Sequence, residues 1–436
     1  MDTEFPLLDE LRRKKVVRKV GKVAEAFGTL LKVTGIDARI GDICNLVDPE
    51  SQHSLKAEVV GIQGGQLLLA PMGVMEGVST RMQVHPSNQG NWVSVDNQML
   101  GRVVDAYGRP LDGKGDLVCE HQVPVYRESP DPVNRLPVTQ PLATGVRALD
   151  CLLTTGLGQR VGIFAVAGGG KSTLLGMLAR GAASDVNVIV LVGERGREVR
   201  EFMEDSLGEE GLKRSVVVVA TSDRPALERA RAACVGTALA EYFRDQGKKV
   251  MLMMDSVTRY ARALRDVGLS LGEPPVRRGF TPSVFSMLPR LFERAGNNDR
   301  GYITAYYTVL QEEEQEGEDP ISEEVRSLLD GHILLSRKLA AAAHYPAIDV
   351  MTSASRVFER VTSREHQEHA RKLRKLMAKY QEVEWLIQLG EYKAGADAEA
   401  DEAIARRDAI RELLQQPSDV CHPFEETLLK MRHILE

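Results

Sequence analysis

The stretch Val161-Gly-Ile-Phe-Ala-Val-Ala-Gly-Gly-Gly-Lys-Ser-Thr-Leu-Leu175 decides how the rest of the chain is read. An apolar run, Val161 to Val166, is followed by Ala167, by Gly168, Gly169 and Gly170, and then by Lys171, Ser172, Thr173 and a second apolar run. The pattern predicts a buried strand, a tight loop and the first turn of a helix. Glycines let successive backbone N–H groups curl round an anion, and the positive end of the following helix dipole faces the same point. In such a loop the lysine reaches the outer phosphates of a nucleotide and the next hydroxyl sits on Mg²⁺. The strict spacing G-x-x-x-x-G-K-[ST] is broken only at its first position, where the small Ala165 replaces glycine. The segment predicts a nucleoside triphosphate site.

The remaining composition narrows the class. At 436 residues the chain is long enough for two or three domains. A net charge of −6 gives no global pull toward nucleic acid, so such binding would need a local basic patch. Five scattered cysteines (Cys44, Cys119, Cys151, Cys234, Cys421) have no C-x-x-C spacing, which argues against a disulfide framework or zinc site and for a reducing cytosol. The acidic start, with Asp2 and Glu4, does not read as a secretory signal, and no apolar run reaches the roughly 20 residues of a membrane span.

Three regions are expected: a small β-barrel over 1–95, an α/β nucleotide-binding domain over 96–360, and a helical domain over 361–436. From Val16 to Pro86 short β-rich pieces alternate with glycine turns, as in Glu58-Val-Val-Gly-Ile62 and Gln66-Leu-Leu-Leu-Ala70 either side of Gly64-Gly65. The runs Val161–Val166, Val188–Val192, Val216–Ala220, Val250–Met254 and Ile303–Leu310 then alternate with helical stretches, the pattern of a parallel sheet covered on both faces. A proline-bearing linker runs from Leu117 to Pro141, read as extended over the surface. Leu373, Met377, Tyr380, Val383 and Ile387 recur at helical spacing up to Gly390, and a second helix ends before Pro417. The acidic run Glu312–Asp319 reads as a solvated loop.

Other residues fall where phosphoryl transfer needs them. Val250-Met-Leu-Met-Met-Asp255 is a buried strand ending in an acid, suited to hold the water shell of Mg²⁺. The strand Val188–Val192 runs into Gly193, Glu194 and Arg195. A carboxylate at a strand's C-terminal end can orient and polarise an attacking water, and Arg195 can meet charge developing on the γ-phosphate.

With these pieces in place, the chain resembles the catalytic ATPases of bacterial type III protein secretion, relatives of the flagellar export ATPase and of the catalytic subunit of rotary ATP synthases. The resemblance is carried by Gly101–Asp112, Gln140–Asp150, Gly193–Phe202, Ala220–Pro225, Asp255–Ala263, Asp330–Arg337, Tyr345–Arg356 and Leu389–Tyr392. It implies a RecA-like phosphate-loop fold with an N-terminal β-barrel and a C-terminal helical domain, acting as a homohexamer that hydrolyses ATP with Mg²⁺. It implies roles residue by residue: Lys171 on phosphate, Ser172 and Asp255 on the metal, Glu194 activating water, Tyr345 packing on adenine, and Arg356 reaching the neighbouring chain's nucleotide. Its partners would be a central stalk, an export gate, chaperone–effector complexes and a stator-like regulator, at the cytoplasmic face of the bacterial inner membrane.

The loop Ala167-Gly-Gly-Gly-Lys171 has more glycine than the family pattern, and Val257 replaces a leucine. Glu194 argues against a noncatalytic subunit or an idle structural ring. Phe27 is the only aromatic between Gly21 and Pro86, which argues against an RNA translocase because no base-stacking platform exists. Flagellar export, and after it a rotary synthase subunit, are the alternatives. Gly272–Pro282, with Arg277, Arg278 and an apolar tip at Phe280, is read as a loop, which the resemblance places at the ring's central opening, facing substrate. Leu7, Leu8, Leu11, Val16, Val17 and Val20, interleaved with Arg12 to Lys15, Arg18 and Lys19, suggest a basic amphipathic segment that the resemblance assigns to the regulator.

Overall fold

The computed structural model describes residues 19–87, 91–166, 168–311 and 319–436. The basic N-terminal segment up to Arg18, Ala167 and all but the last residue of the acidic run Glu312–Asp319 lie outside them. The described chain divides into two compact units, one reaching Trp92 and including Leu269–Glu273, the other Val93–Gly268 with Pro274–Glu436.

The first unit is a closed barrel of β1 (Gly21–Phe27), β2 (Leu30–Thr34), β3 (Ile43–Val47), β4 (Ser54–Gln63), β5 (Gln66–Pro71) and β6 (Gln83–Pro86), hydrogen-bonded in the order β1-β2-β5-β4-β3-β6. Antiparallel alternation sends Leu31, Val33, Leu46, Val59, Leu69 and Val84 to a common interior. The expected β4–β5 hairpin closes at the pair Gln63 and Gln66, where Gly64 and Gly65 take φ of +57° and +77°, values costly for any side chain.

The second unit is built on a sheet whose strands are β7 (Arg102–Val104), β8 (Arg160–Val166), β9 (Val186–Val192), β10 (Ser215–Ala220), β11 (Lys249–Asp255), β12 (Tyr302–Gln311), β13 (Gly331–Leu335) and β14 (Ile348–Ser355). Their order is β14-β13-β8-β12-β11-β9-β10-β7, parallel except for the edge strand β14, and the short strand Gly296–Asn297 pairs with β12. Along β9, Val188, Val190 and Val192 point into one core while Ile189 and Leu191 point into another. Burial on both faces is why these runs read as continuous rather than alternating.

The helices that matter to the site are α1 (Lys171–Gly181), α2 (Ala226–Asp245) and α3 (Val257–Ser270). At the C-terminus follow α4 (Arg364–Gln388), α5 (Ala398–Leu414) and α6 (Phe424–Leu435). The expected period of α4 is present: Leu373, Leu376 and Val383 are buried, and Gly390 follows the helix with φ +72°. The sequence reading separated this helical tail from the nucleotide-binding region. In the structure Leu373, Leu376, Ile410, Leu413 and Met431 share one apolar core with Ile163 of β8 and Leu174 of α1, so the tail packs directly on the nucleotide-binding region.

Candidate active site

Strand β8 and helix α1 flank the glycine loop, and the backbone explains its composition. Gly168 and Gly170 take φ of +80° and +82°, where any other residue is strained. A Cβ on Gly169 would sit 3.2 Å from the Val166 carbonyl. The first turn of α1 carries no acidic residue, so nothing in the helix offsets the positive end of its dipole, and Ser172 and Thr173 are exposed there.

Parallel pairing brings the ends of β9, β11 and β12 beside this loop. Asp255, the last residue of β11, is buried, and its Oδ1 accepts a hydrogen bond from the Thr308 hydroxyl of β12 at 2.8 Å. The same oxygen accepts from the Lys171 ammonium. Glu194, two residues past β9, is also buried; its Oε1 lies 3.4 Å from Lys171 Nζ and its Oε2 3.1 Å from the Arg259 guanidinium. Arg259, in the first turn of α3, also donates to the carbonyl of Gly193. Two carboxylates and two cations therefore face one another in a cleft of about 550 Å³ lined by Gly168, Gly170, Lys171, Ser172, Thr173 and Arg195 as well.

The electrostatics separate the acids. Burial pushes the Glu194 carboxyl up to about 7, helped by its hydrogen bond to Glu198 and by the charge of Asp255, against the pull of Lys171 and Arg259. The same hydrogen bond holds Glu198 below the usual range. In the unliganded cleft Glu194 thus keeps a proton near neutrality and gives it to Glu198 in a hydrogen bond, the property of a poised general base. Arg195 is more peripheral: its side chain is 79% exposed and lies 3.5 Å from Glu198.

Two predicted residues are not brought into this cleft. Tyr345 is 45% exposed, its carbonyl accepting from the Gln416 N–H beyond α5. Arg356, just past β14, is exposed and donates to the Arg326 carbonyl at 3.2 Å. Phe280 corrects the expectation of an apolar loop tip. It is 7% exposed, meets the Phe285 ring edge to face at 6.5 Å and lies under the Arg265 guanidinium. Burying the ring stabilises the fold by about 1.5–3 kcal/mol, and a turn in which the Val276 N–H donates to the Phe280 carbonyl and the Phe280 N–H to the Arg277 carbonyl aims it inward. The exposed apolar residue of this turn is Val276, with Arg278 at φ +45° and Arg277 paired to Glu323. Sequence reasoning gave Arg259, Thr308 and Glu198 no role. Only Arg259 had a readable signal, its place four residues after Asp255 in a strand-to-helix segment.

Residues 23–88 match the β-barrel domain of the ATP synthase alpha/beta family, residues 145–355 its nucleotide-binding domain, and residues 362–433 the C-terminal domain described for the T3SS EscN ATPase. The chain is 54% identical over 433 residues to a type 3 secretion system ATPase of Xanthomonas euvesicatoria, covering 98% of each chain. It is 47% identical over 425 residues to a flagellum-specific ATP synthase of Bacillus subtilis, covering 97% of this chain and 96% of that one. The assembled ATPase EscN of the enteropathogenic E. coli type III secretion system superposes with a TM-score of 0.89 at 48% identity, over 95% of this chain and 100% of that one. The same protein solved in complex with its central stalk EscO gives a TM-score of 0.89 at 47% identity, with the same coverage. Matched in barrel, nucleotide-binding and C-terminal regions and at this identity over nearly its whole length, the chain belongs to the type III secretion ATPases of the ATP synthase alpha/beta family.

Proposed function

We propose that this protein hydrolyses ATP, with Mg²⁺, at sites completed between neighbouring chains of a homohexamer, and that hydrolysis energises type III protein secretion. One observation supports the shared site: Lys171, Glu194, Asp255 and Arg259 meet in one cleft, while Arg356 stands exposed just past the edge strand, outside it. Lys171, Gly168 to Gly170 and the N-terminus of α1 hold the phosphates. Ala167, outside the described residues, is proposed with them from the sequence alone, as is Thr173 from its place in the first turn. The donor set fits Mg²⁺, because one exposed hydroxyl (Ser172) and one carboxylate (Asp255, fixed by Thr308) are hard oxygen ligands that leave room for water and phosphate oxygens. When bound, the ion would offset phosphate charge.

Glu194 orients the attacking water and takes its proton, Arg259 holds that carboxylate in place, and Arg195 faces charge at the γ-phosphate. Tyr345 packs on the base, and Arg356 acts on the next chain's nucleotide. The higher identity to a secretion ATPase than to a flagellar one favours the secretion branch. The complex of EscN with EscO supports a central stalk as partner. Release of effectors from chaperones, delivery to an export gate, a stator-like regulator on the N-terminal segment, and residence at the cytoplasmic face of the inner membrane complete the reading. No helix among the described residues is long and apolar enough to cross a membrane.

The test is complementation. Arg356→Ala leaves nucleotide binding largely intact and cuts turnover on the order of 10³. Mixing it with Lys171→Ala, also inactive, restores part of the activity, because some interfaces pair an intact loop with an intact arginine. Mixed rings that stay inactive overturn the shared site.

A further inference from the structure

A second cleft, of about 400 Å³, lies between the edge strand β14 and the C-terminal helices α4 and α5, and shares no residue with the phosphate cleft. Its volume lies within the range of small-molecule sites, roughly 300–1,000 Å³. The floor is aliphatic: Ile348 and Val350 from β14, Leu376 from α4, Ile410 and Leu414 from α5, all buried. Met377 and Tyr380 of α4 form a wall, the thioether adding an adaptable surface.

The mouth is charged and unbalanced. Lys338, on the short helix Arg337–Ala341, and Arg411 of α5 are exposed, and neither side chain has an ion-pair or hydrogen-bond partner among the described residues. Arg407, its guanidinium stacked 4.8 Å over the Tyr380 ring, is answered by Asp408 at 3.8 Å, so the unpaired cations at the mouth are Lys338 and Arg411. Of the two acids, Asp349 is already committed, its Oδ1 accepting from the N–H groups of Met351 and Thr352 at 3.0 and 3.2 Å, which leaves Glu384. His344 is buried in the wall, and burial together with the charge of Arg411 holds its pKa down, so it adds no cation at neutral pH. An aliphatic floor below free cations suits a molecule with an apolar body and one anionic head.

We propose that this cleft binds a small amphipathic carboxylate, its chain against β14 and α5 and its head between Lys338 and Arg411. Dodecanoate below its micelle concentration is the probe, titrated by calorimetry into the assembled wild-type protein and into Lys338→Gln/Arg411→Gln. Both positions are exposed and unpaired, so the variant keeps the wild-type melting curve in the absence of probe. Saturable binding at one site per chain is expected, about tenfold weaker in the double variant. A measurement needing no variant runs alongside: raising salt weakens dodecanoate binding to the wild type, while dodecan-1-ol binds more weakly from the start and without salt dependence. Non-saturable uptake overturns the proposal, as does equal affinity of the double variant or equal binding of dodecyltrimethylammonium.

Discussion

The pH dependence of turnover tests the assignment of Glu194 most directly. Its carboxyl is pushed up to about 7, with burial the largest cause. A general base works only when deprotonated, and a raised pKa brings that titration into the accessible range, so activity must rise with pH. With a pKa of about 7 the ionised fraction is about 0.1 at pH 6 and about 0.9 at pH 8, an increase in kcat/KM close to tenfold across one proton. The substrate's terminal phosphate titrates nearby, at about 6, so the wild-type curve alone does not identify the group. Glu194→Gln separates them. It keeps the shape of the side chain and a hydrogen-bond acceptor toward Arg259, so ATP still binds. It removes the base, and turnover falls by about 10²–10⁴. Whatever pH limb survives in the variant belongs to the substrate, and dividing the two profiles isolates Glu194. Glu198→Gln offers a second handle: the negative charge that receives Glu194's proton is gone, and the limb moves to lower pH. Steady-state ATPase rates between pH 5.5 and 8.5 at fixed ionic strength provide the data. If the wild-type profile superposed on that of Glu194→Gln after scaling, or if Glu194→Gln turned over ATP at a near-normal rate, Glu194 would not be the base.

Four further variants test the same geometry. Lys171→Ala removes the cation facing both Asp255 and Glu194 and abolishes nucleotide binding, read by fluorescent-nucleotide titration. Thr308→Val deletes the hydroxyl held on Asp255 inside the sheet and costs about 1.5–3 kcal/mol, the range for a hydrogen bond to a charged group, measured by urea unfolding. Phe280→Ala destabilises by about 3–5 kcal/mol because the ring is core, whereas Val276→Asp leaves the melting curve unchanged and, if the turn faces translocating protein, lowers export with ATPase activity retained.

Legibility from sequence followed burial. Strands buried on both faces, such as Val188–Val192 and Val250–Met254, were readable as apolar runs, and the phosphate loop was readable because each glycine meets a backbone demand. Strands β13 and β14 were not. Gly331–Leu335 contains His332, and Ile348–Ser355 carries Asp349, Thr352, Ser353 and Ser355, because the edge of a sheet buries only part of each strand. The last helix, Phe424–Leu435, escaped because its apolar face is short and is completed by α4 and α5. Phe280 misled for a related reason: glycines and prolines mark a loop correctly but do not say which side chain the turn folds inward. Arg259 sat in a recognised motif, yet its role depends on Glu194, which only the parallel pairing of β9 with β11 brings alongside.

The charge balance of the cleft gives a physical reason for a divided site. Lys171 faces two carboxylates and Arg259 faces one of them, so both central cations are already answered within the chain. A triphosphate adds several negative charges to a space where Glu194 and Asp255 are buried, and burial makes any uncompensated charge expensive. Protonation of Glu194 relieves part of this before the nucleotide enters, but the same proton disables the base. On the proposed reading the remaining compensation comes from Arg195 at the rim of the cleft, from a divalent ion on Ser172 and Asp255, and from a guanidinium of another chain. Arg356, exposed just past the edge strand and, among the described residues, with the Arg326 carbonyl as its side chain's one partner, is proposed as that guanidinium for another chain. On this argument hydrolysis waits for both additions, because only then does Glu194 lose its proton at neutral pH with the nucleotide in place. Turnover per chain therefore rises with protein concentration through the range in which the ring assembles, and a rate per chain that stayed constant across that range would refute the electrostatic account as well as the shared site.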